Sequence, residues 1–106
     1  MRKHKKIHDS QRFSIIAKDL RRCYVCGSFA GIELHEIFFG SGRRDLSKEF
    51  GLVVPLCDQC HRGTKGVHGK NGHELDMQLK AIGEAAFDNH YPELNFIKIF
   101  GKGGYK

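Results

Sequence analysis

Cys23-Tyr-Val-Cys26 and Cys57-Asp-Gln-Cys60-His61 frame the stretch on which the fold turns. Each pair sets two thiols at the spacing with which a tight knuckle turn hands two sulfurs to a tetrahedral zinc ion, and two such pairs complete a four-sulfur set. Cys23, Cys26, Cys57 and Cys60 are therefore read as ligands of one structural Zn2+ joining two knuckles across 30 intervening residues. Two disulfides would use the same thiols, but no apolar leader opens the chain and the paired spacing suits metal better. Ligation also argues against a cysteine nucleophile.

Between the pairs, Gly31-Ile-Glu-Leu-His-Glu-Ile-Phe-Phe-Gly40 is rich in β-branched and aromatic residues, which predicts a strand over 32–39. Alternation puts Glu33, His35, Ile37 and Phe39 on one face and Ile32, Leu34, Glu36 and Phe38 on the other. Residues 41–51 are polar and basic and read as an exposed loop or short helix. Leu52-Val-Val-Pro-Leu56 predicts a second strand, with Pro55 limiting it to an edge or a strand end.

After His61, the glycines around Val67-His68 disfavour a continuous helix, by about 1 kcal/mol for each internal glycine. Asn71 to Glu74 resembles a helix N-cap, and Leu75, Leu79, Ile82 and Ala86 follow at helical spacing, predicting a helix over 72–88. Pro92 and Gly101 bracket a last short helix, and 102–106 is expected to fray. Phe13, Ile15, Ile16 and Leu20 form an apolar patch of open type below the first knuckle. The whole reads as an α+β domain over 13–106, preceded by a basic flexible arm at 1–12.

At 106 residues the chain is one small domain, near the size where a metal staple adds useful stability. The net charge of +6 sits at the front: residues 1–22 hold eight Lys/Arg against Asp9 and Asp19, and the remainder is balanced. Such an arm, with Arg2, Lys3, Lys5 and Lys6, suits an anionic polymer, because Lys and Arg release condensed counterions from phosphates. Arg43 and Arg44 read equally well as phosphate contacts or as ordinary surface charge. Nothing approaches a membrane span, so the expectation is a soluble, cytoplasmic protein.

His35, His61 and His68 offer neutral imidazoles that suit zinc, nickel or manganese and, less readily, magnesium. Glu36 offers a carboxylate able to take a proton from water. His4, His8, His73 and His90 are read as solvated or structural.

These residues resemble the HNH nucleases of the ββα-metal (His-Me finger) group, in the subset stapled by a four-cysteine zinc site. The resemblance runs from Cys23 to about His68, and the small size and basic arm look like phage-encoded members active in DNA processing or recombination. It implies a ββα-metal domain that hydrolyses DNA phosphodiesters, with a β-hairpin, C-terminal helices and one catalytic divalent ion (Mg2+, Mn2+, Ni2+ or Zn2+). By the resemblance, His35, Glu36 and His61 are catalytic. One assignment makes His35, His61 and His68 the metal ligands and Glu36 the general base, which requires a bulge or twist to bring His35 and Glu36 to one side. The other makes His35 the base and leaves His61 and His68 as ligands, with Glu36 a structural carboxylate or one that supports the ligands from behind. Two departures stand out: the family's first strand usually carries His-His or Asp-His where this chain has His35-Glu36, and Gly51 occupies the place of the family's middle Asn. The alternative is a catalytically inactive zinc-knuckle module that binds DNA or RNA.

Overall fold

The computed structural model describes residues 11–106. The basic side chains Arg2, Lys3, Lys5 and Lys6 lie outside the described residues. The order of elements is β1 (Glu33–Glu36), α1 (Arg43–Phe50), β2 (Val53–Leu56), α2 (Asp58–Arg62), α3 (His73–His90) and α4 (Phe96–Phe100). This is a small α+β fold built on one two-stranded antiparallel hairpin.

β1 is shorter than the expected 32–39, and its end has a cause. Glu33, Leu34, His35 and Glu36 pair with Leu56, Pro55, Val54 and Val53, and the Ile37 amide still reaches the Leu52 carbonyl at 3.0 Å. At Phe38 the partner changes: the Ser47 hydroxyl accepts from the Phe38 amide at 3.0 Å and donates to its carbonyl at 2.7 Å. A buried side chain of α1 thus replaces the next rung of the ladder. Pro55 fits because, among the described residues, its missing N–H faces no third strand, while its carbonyl accepts from the Tyr24 amide at 2.8 Å and ties the first knuckle to the hairpin.

The segment 41–51 holds helix α1, and its inner face, with Leu46, Ser47 and Phe50, is buried rather than exposed. It ends at Gly51, whose φ of 73° lies in the left-handed region. A Cβ there would stand 2.5 Å from the Phe13 ring and 3.1 Å from Ile15. The N-terminal segment lies on this spot, and the Ile15 amide bonds the Gly51 carbonyl at 2.9 Å. Any larger side chain there would have to displace the Phe13 ring, which gives glycine at 51 a steric reason.

Helix α3 starts at His73, but the expected side-chain cap is absent: the N-cap is Gly72, with no side-chain hydrogen bond. Its buried face is Leu79, Gly83, Glu84 and Phe87 rather than the stripe through Ile82, which is exposed. The rotation is set by the chain end. Glu84 is buried, and its carboxylate accepts the amides of Gly104 at 3.3 Å and Tyr105 at 2.7 Å. The tail is therefore fastened instead of frayed, with Tyr105 packed on Phe38. Helix α4 is opened by Asn95, whose side chain accepts from the Lys98 amide at 3.0 Å, rather than by Pro92. The core between the hairpin and these helices is aromatic: Phe38, Phe50, Phe87, Phe96 and Phe100 meet with centroids 4.4 to 6.2 Å apart. No helix among the described residues is long and apolar enough to cross a membrane.

Candidate functional site

Among the described residues, two groups of metal-ligating side chains come together, Cys23, Cys26, Cys57 and Cys60 in one and His35, His61 and His68 in the other. In each group the ligand atoms all lie within 4.8 Å of one another.

The cysteine quartet is built by two local turns. The Cys23 carbonyl accepts the Gly27 amide at 2.9 Å, which curls the first knuckle, and Cys57 caps α2 so that Cys60 projects beside it. All four are free thiols. Cys26 and Cys57 sulfurs stand 3.5 Å apart, far beyond a disulfide bond and close to the ~3.8 Å edge of a tetrahedron with Zn–S bonds of about 2.3 Å. Burial opposes ionising Cys23, but amides of Cys26, Cys57 and Val25 aimed at its sulfur outweigh that and bring the thiol down to about 6. Burial and the neighbouring sulfurs push Cys60 upward. One thiolate is thus welcome while more are mutually repelled, a conflict that a bound cation resolves. The quartet is compatible with a structural zinc.

The histidine group draws on three places. His35 comes from β1 and is 3 % exposed, His61 from α2 and is 7 % exposed, and His68 from the loop that follows. Ring centroids are 5.2 Å apart for His35 and His61, 5.1 Å for His35 and His68, and 4.9 Å for His61 and His68. The loop winds on itself in turns, with the amides of Gly66, Gly69 and Gly72 bonding the carbonyls of Gly63, Gly66 and Gly69 at 2.9, 2.8 and 3.1 Å. A Cβ on Gly69 or Gly72 would run into the backbone of the turn before it. Glycine is what lets the spiral close, and the His68 amide then bonds the His61 carbonyl at 2.9 Å. Two histidines seven residues apart thereby become neighbours without a shared helix.

Nε2 of His35 is buried and has no hydrogen-bond partner. A buried nitrogen left unpaired costs about 1–3 kcal/mol, and it sits with two other imidazoles. Burial, then the neighbouring His61, His68, Lys80 and Arg44, depresses His35 to about 3. His68 is lowered as well, by burial and then by His61. His35 therefore keeps its ring lone pair at physiological pH. Nδ1 of His61 lies 3.1 Å from Oε1 of Glu33, so the ring donates there and leaves Nε2 as its acceptor. That is the carboxylate–imidazole pairing that orients metal-binding histidines. The hydrogen bond to His61, with Arg62 adding, holds Glu33 below the usual carboxylate range. Three imidazoles with a fourth side open can hold a divalent ion and leave it a free position.

The histidines line a groove of about 780 Å³ together with Arg12, Glu33, Glu36, Phe39, Arg44, Lys48 and Arg62. Four cationic side chains against two carboxylates make it suited to a polyanion. Sequence reading had His35, Glu36, His61, His68 and Arg44 as site residues, and all five border this groove. Arg43 does not: its Nε donates to the Phe100 carbonyl at 2.9 Å, so it fastens α1 to the end of α4. Glu36 has no bulge to bring it round, since the ladder runs unbroken through both His35 and Glu36. Its Oε2 accepts from Arg12, and its Oε1 lies 3.4 Å from Nε of Arg44. Arg12, counted with the flexible arm, instead lies on the domain body, where it also reaches the Leu34 carbonyl at 3.3 Å.

Glu33, Lys48, Arg62 and Arg12 were missed as groove residues. Only Glu33 had a signal, its position two residues from His35 on the same strand face. The chain matches no family model, no curated protein and no solved structure.

Proposed function

We propose that the chain is a metal-dependent endonuclease of the HNH type that hydrolyses DNA phosphodiester bonds. In this reading the cysteine quartet holds a structural zinc, and His35, His61 and His68 hold one catalytic divalent ion. The observation that carries the proposal is the buried, unpartnered Nε2 of His35, on a ring grouped with two more imidazoles on the wall of a basic groove. An apolar or hydrogen-bonded residue would be the better choice there for stability alone.

The residues divide the work by position. A divalent ion, when bound, supplies the positive charge that activates water and offsets charge developing on the phosphate. Glu33 fixes the tautomer and tilt of His61. Lys80 stands 4.5 Å over the face of Phe39, and Phe39 packs edge-to-face on His68 at 5.2 Å, so α3 closes the outer side of the histidine cluster. Arg44, Lys48 and Arg62 border the path a strand backbone would follow. Of the two base assignments, the cluster favours His35 as ligand, because a ring nitrogen of His35 lies within 4.8 Å of one on His61 and one on His68. The small basic chain fits phage DNA processing or recombination, in the cytoplasm.

A second reading, an inactive zinc-knuckle nucleic-acid-binding module, is favoured by one observation: the carboxylate in the base position is committed to two arginines. A plasmid-nicking assay over Mg2+, Mn2+, Ni2+ and Zn2+, native chain beside His61→Ala, separates the two. Nicking by the native chain alone supports the nuclease; binding without nicking in every metal supports the module.

A further inference from the structure

We infer that Glu36 is the anchor of a phosphate clamp and not a proton acceptor: paired with Arg12 and Arg44 on the rim of the groove, it holds Arg44 where that guanidinium takes a backbone phosphate of the bound strand. The inference adopts the nucleic-acid substrate of the reading above but is independent of whether the chain cleaves it.

Glu36 is 8 % exposed, and a buried carboxylate persists only when paired. Its partners come from separate parts of the chain. Arg12 lies in the segment before the first knuckle, and Arg44 in the first turn of α1. Arg12 also bonds the Leu34 carbonyl, so one guanidinium ties that segment to the strand at two points. A general base needs a lone pair aimed at water within about 2.6–3.2 Å. Here Oε2 accepts from Arg12 and Oε1 lies 3.4 Å from Nε of Arg44.

Arg44 has the complementary geometry. Its side chain is 62 % exposed, with Nε in ion-pair contact with Oε1 of Glu36 at 3.4 Å. A guanidinium carries five N–H donors in a rigid fork, so binding a carboxylate through Nε leaves the terminal pair pointing outward in the arrangement that suits a phosphate. Lys48 follows one helical turn later and borders the same groove. An arginine fixed in advance loses less side-chain freedom on binding than one that must be ordered by the ligand.

The clamp predicts a sign that simple charge counting does not. Removing the negative charge of Glu36 should tighten binding to a polyanion, whereas losing an anchor should weaken it. The test is equilibrium binding of a fluorescent duplex oligonucleotide across a salt series, without added divalent ion, for Glu36→Gln, Arg44→Ala and the double variant. Arg44→Ala should lower the slope of log affinity against log salt by about 0.9, one phosphate contact. Glu36→Gln should weaken binding several-fold, and the double variant should bind no more weakly than Arg44→Ala alone. Steady-state nicking should show a raised KM for Glu36→Gln with kcat nearly kept. Unchanged or tighter binding by Glu36→Gln, or a kcat that falls 100-fold or more with KM unchanged as expected for a lost base, overturns the inference. Should Glu36→Gln fail to fold, Arg12→Ala and Arg44→Ala take its place: non-additive losses support the clamp and additive losses refute it. Failure of the nuclease reading is distinct, since it appears as an absence of nicking in all metals with these binding results standing.

Discussion

The cysteine and histidine clusters resemble one another in size but differ in what surrounds them. The quartet has four ligands, both knuckle turns converge on it, and Cys23 and Cys57 belong to the buried core. The triad has three ligands, one of them on a solvent-facing loop, and opens on a basic groove. A complete ligand set anchored in the core makes metal part of folding, while an incomplete set beside a groove leaves room for a substrate. The sites should therefore fail differently when perturbed.

The largest expected effect is at the quartet. Structural zinc sites contribute about 10–16 kcal/mol of apparent binding energy, comparable to the whole stability of a domain, about 5–15 kcal/mol. Cys57→Ser should abolish zinc retention and the cooperative melt seen by circular dichroism. A cooperatively melting Cys57→Ser protein would show that the quartet is not what holds the knuckles together. His61→Ala should do the opposite: zinc stoichiometry and melting stay close to native, while nicking disappears. An unfolded His61→Ala protein would collapse the distinction between the two clusters.

Smaller effects sharpen it. Glu33→Gln keeps the three rings but weakens the orientation of His61, and should reduce affinity for the second ion by about 10- to 100-fold. Titration calorimetry checks this; native affinity would leave Glu33 as a surface partner of Arg62 only. The smallest effect is in pH. His35 titrates near 3 in the folded chain against 6.5 unhindered, so the unfolded chain takes that proton first. Its contribution to stability is present above about pH 6.5 and is lost as pH falls towards 3. His35→Gln should flatten the decline of urea-unfolding free energy between about pH 6.5 and about pH 5, measured with the quartet zinc-loaded. An unaltered decline would mean that His35 is not a buried neutral imidazole.

What could be read from the chain was local. The knuckle spacing, the alternation that put Glu33 and His35 on one face, and the apolar run before Cys57 are short-range patterns, and each found its place in the fold. What escaped was set at long range. The face of α3 depends on the chain end that Glu84 holds, so periodicity alone favoured Ile82. Gly51 looked like a missing asparagine until Phe13 lay against it. Arg12 looked like part of a tail because its partner, Glu36, is 24 residues away. Arg43 and Arg44 were alike in sequence, and helix rotation sends one to the Phe100 carbonyl and the other to the groove. The nuclease reading itself rests on chemistry grouped in space, since spacing could propose the histidines but could not bring them together.

The claim that matters most is that this chain has two metal sites of different kind, and a cobalt titration of metal-free protein tests it directly. The account predicts two equivalents in the native chain. The first brings sulfur-to-cobalt charge-transfer absorption together with folding, and the second brings only weak ligand-field bands and is abolished in His61→Ala. Saturation of the native chain at one equivalent, or a second equivalent that survives His61→Ala, would contradict it.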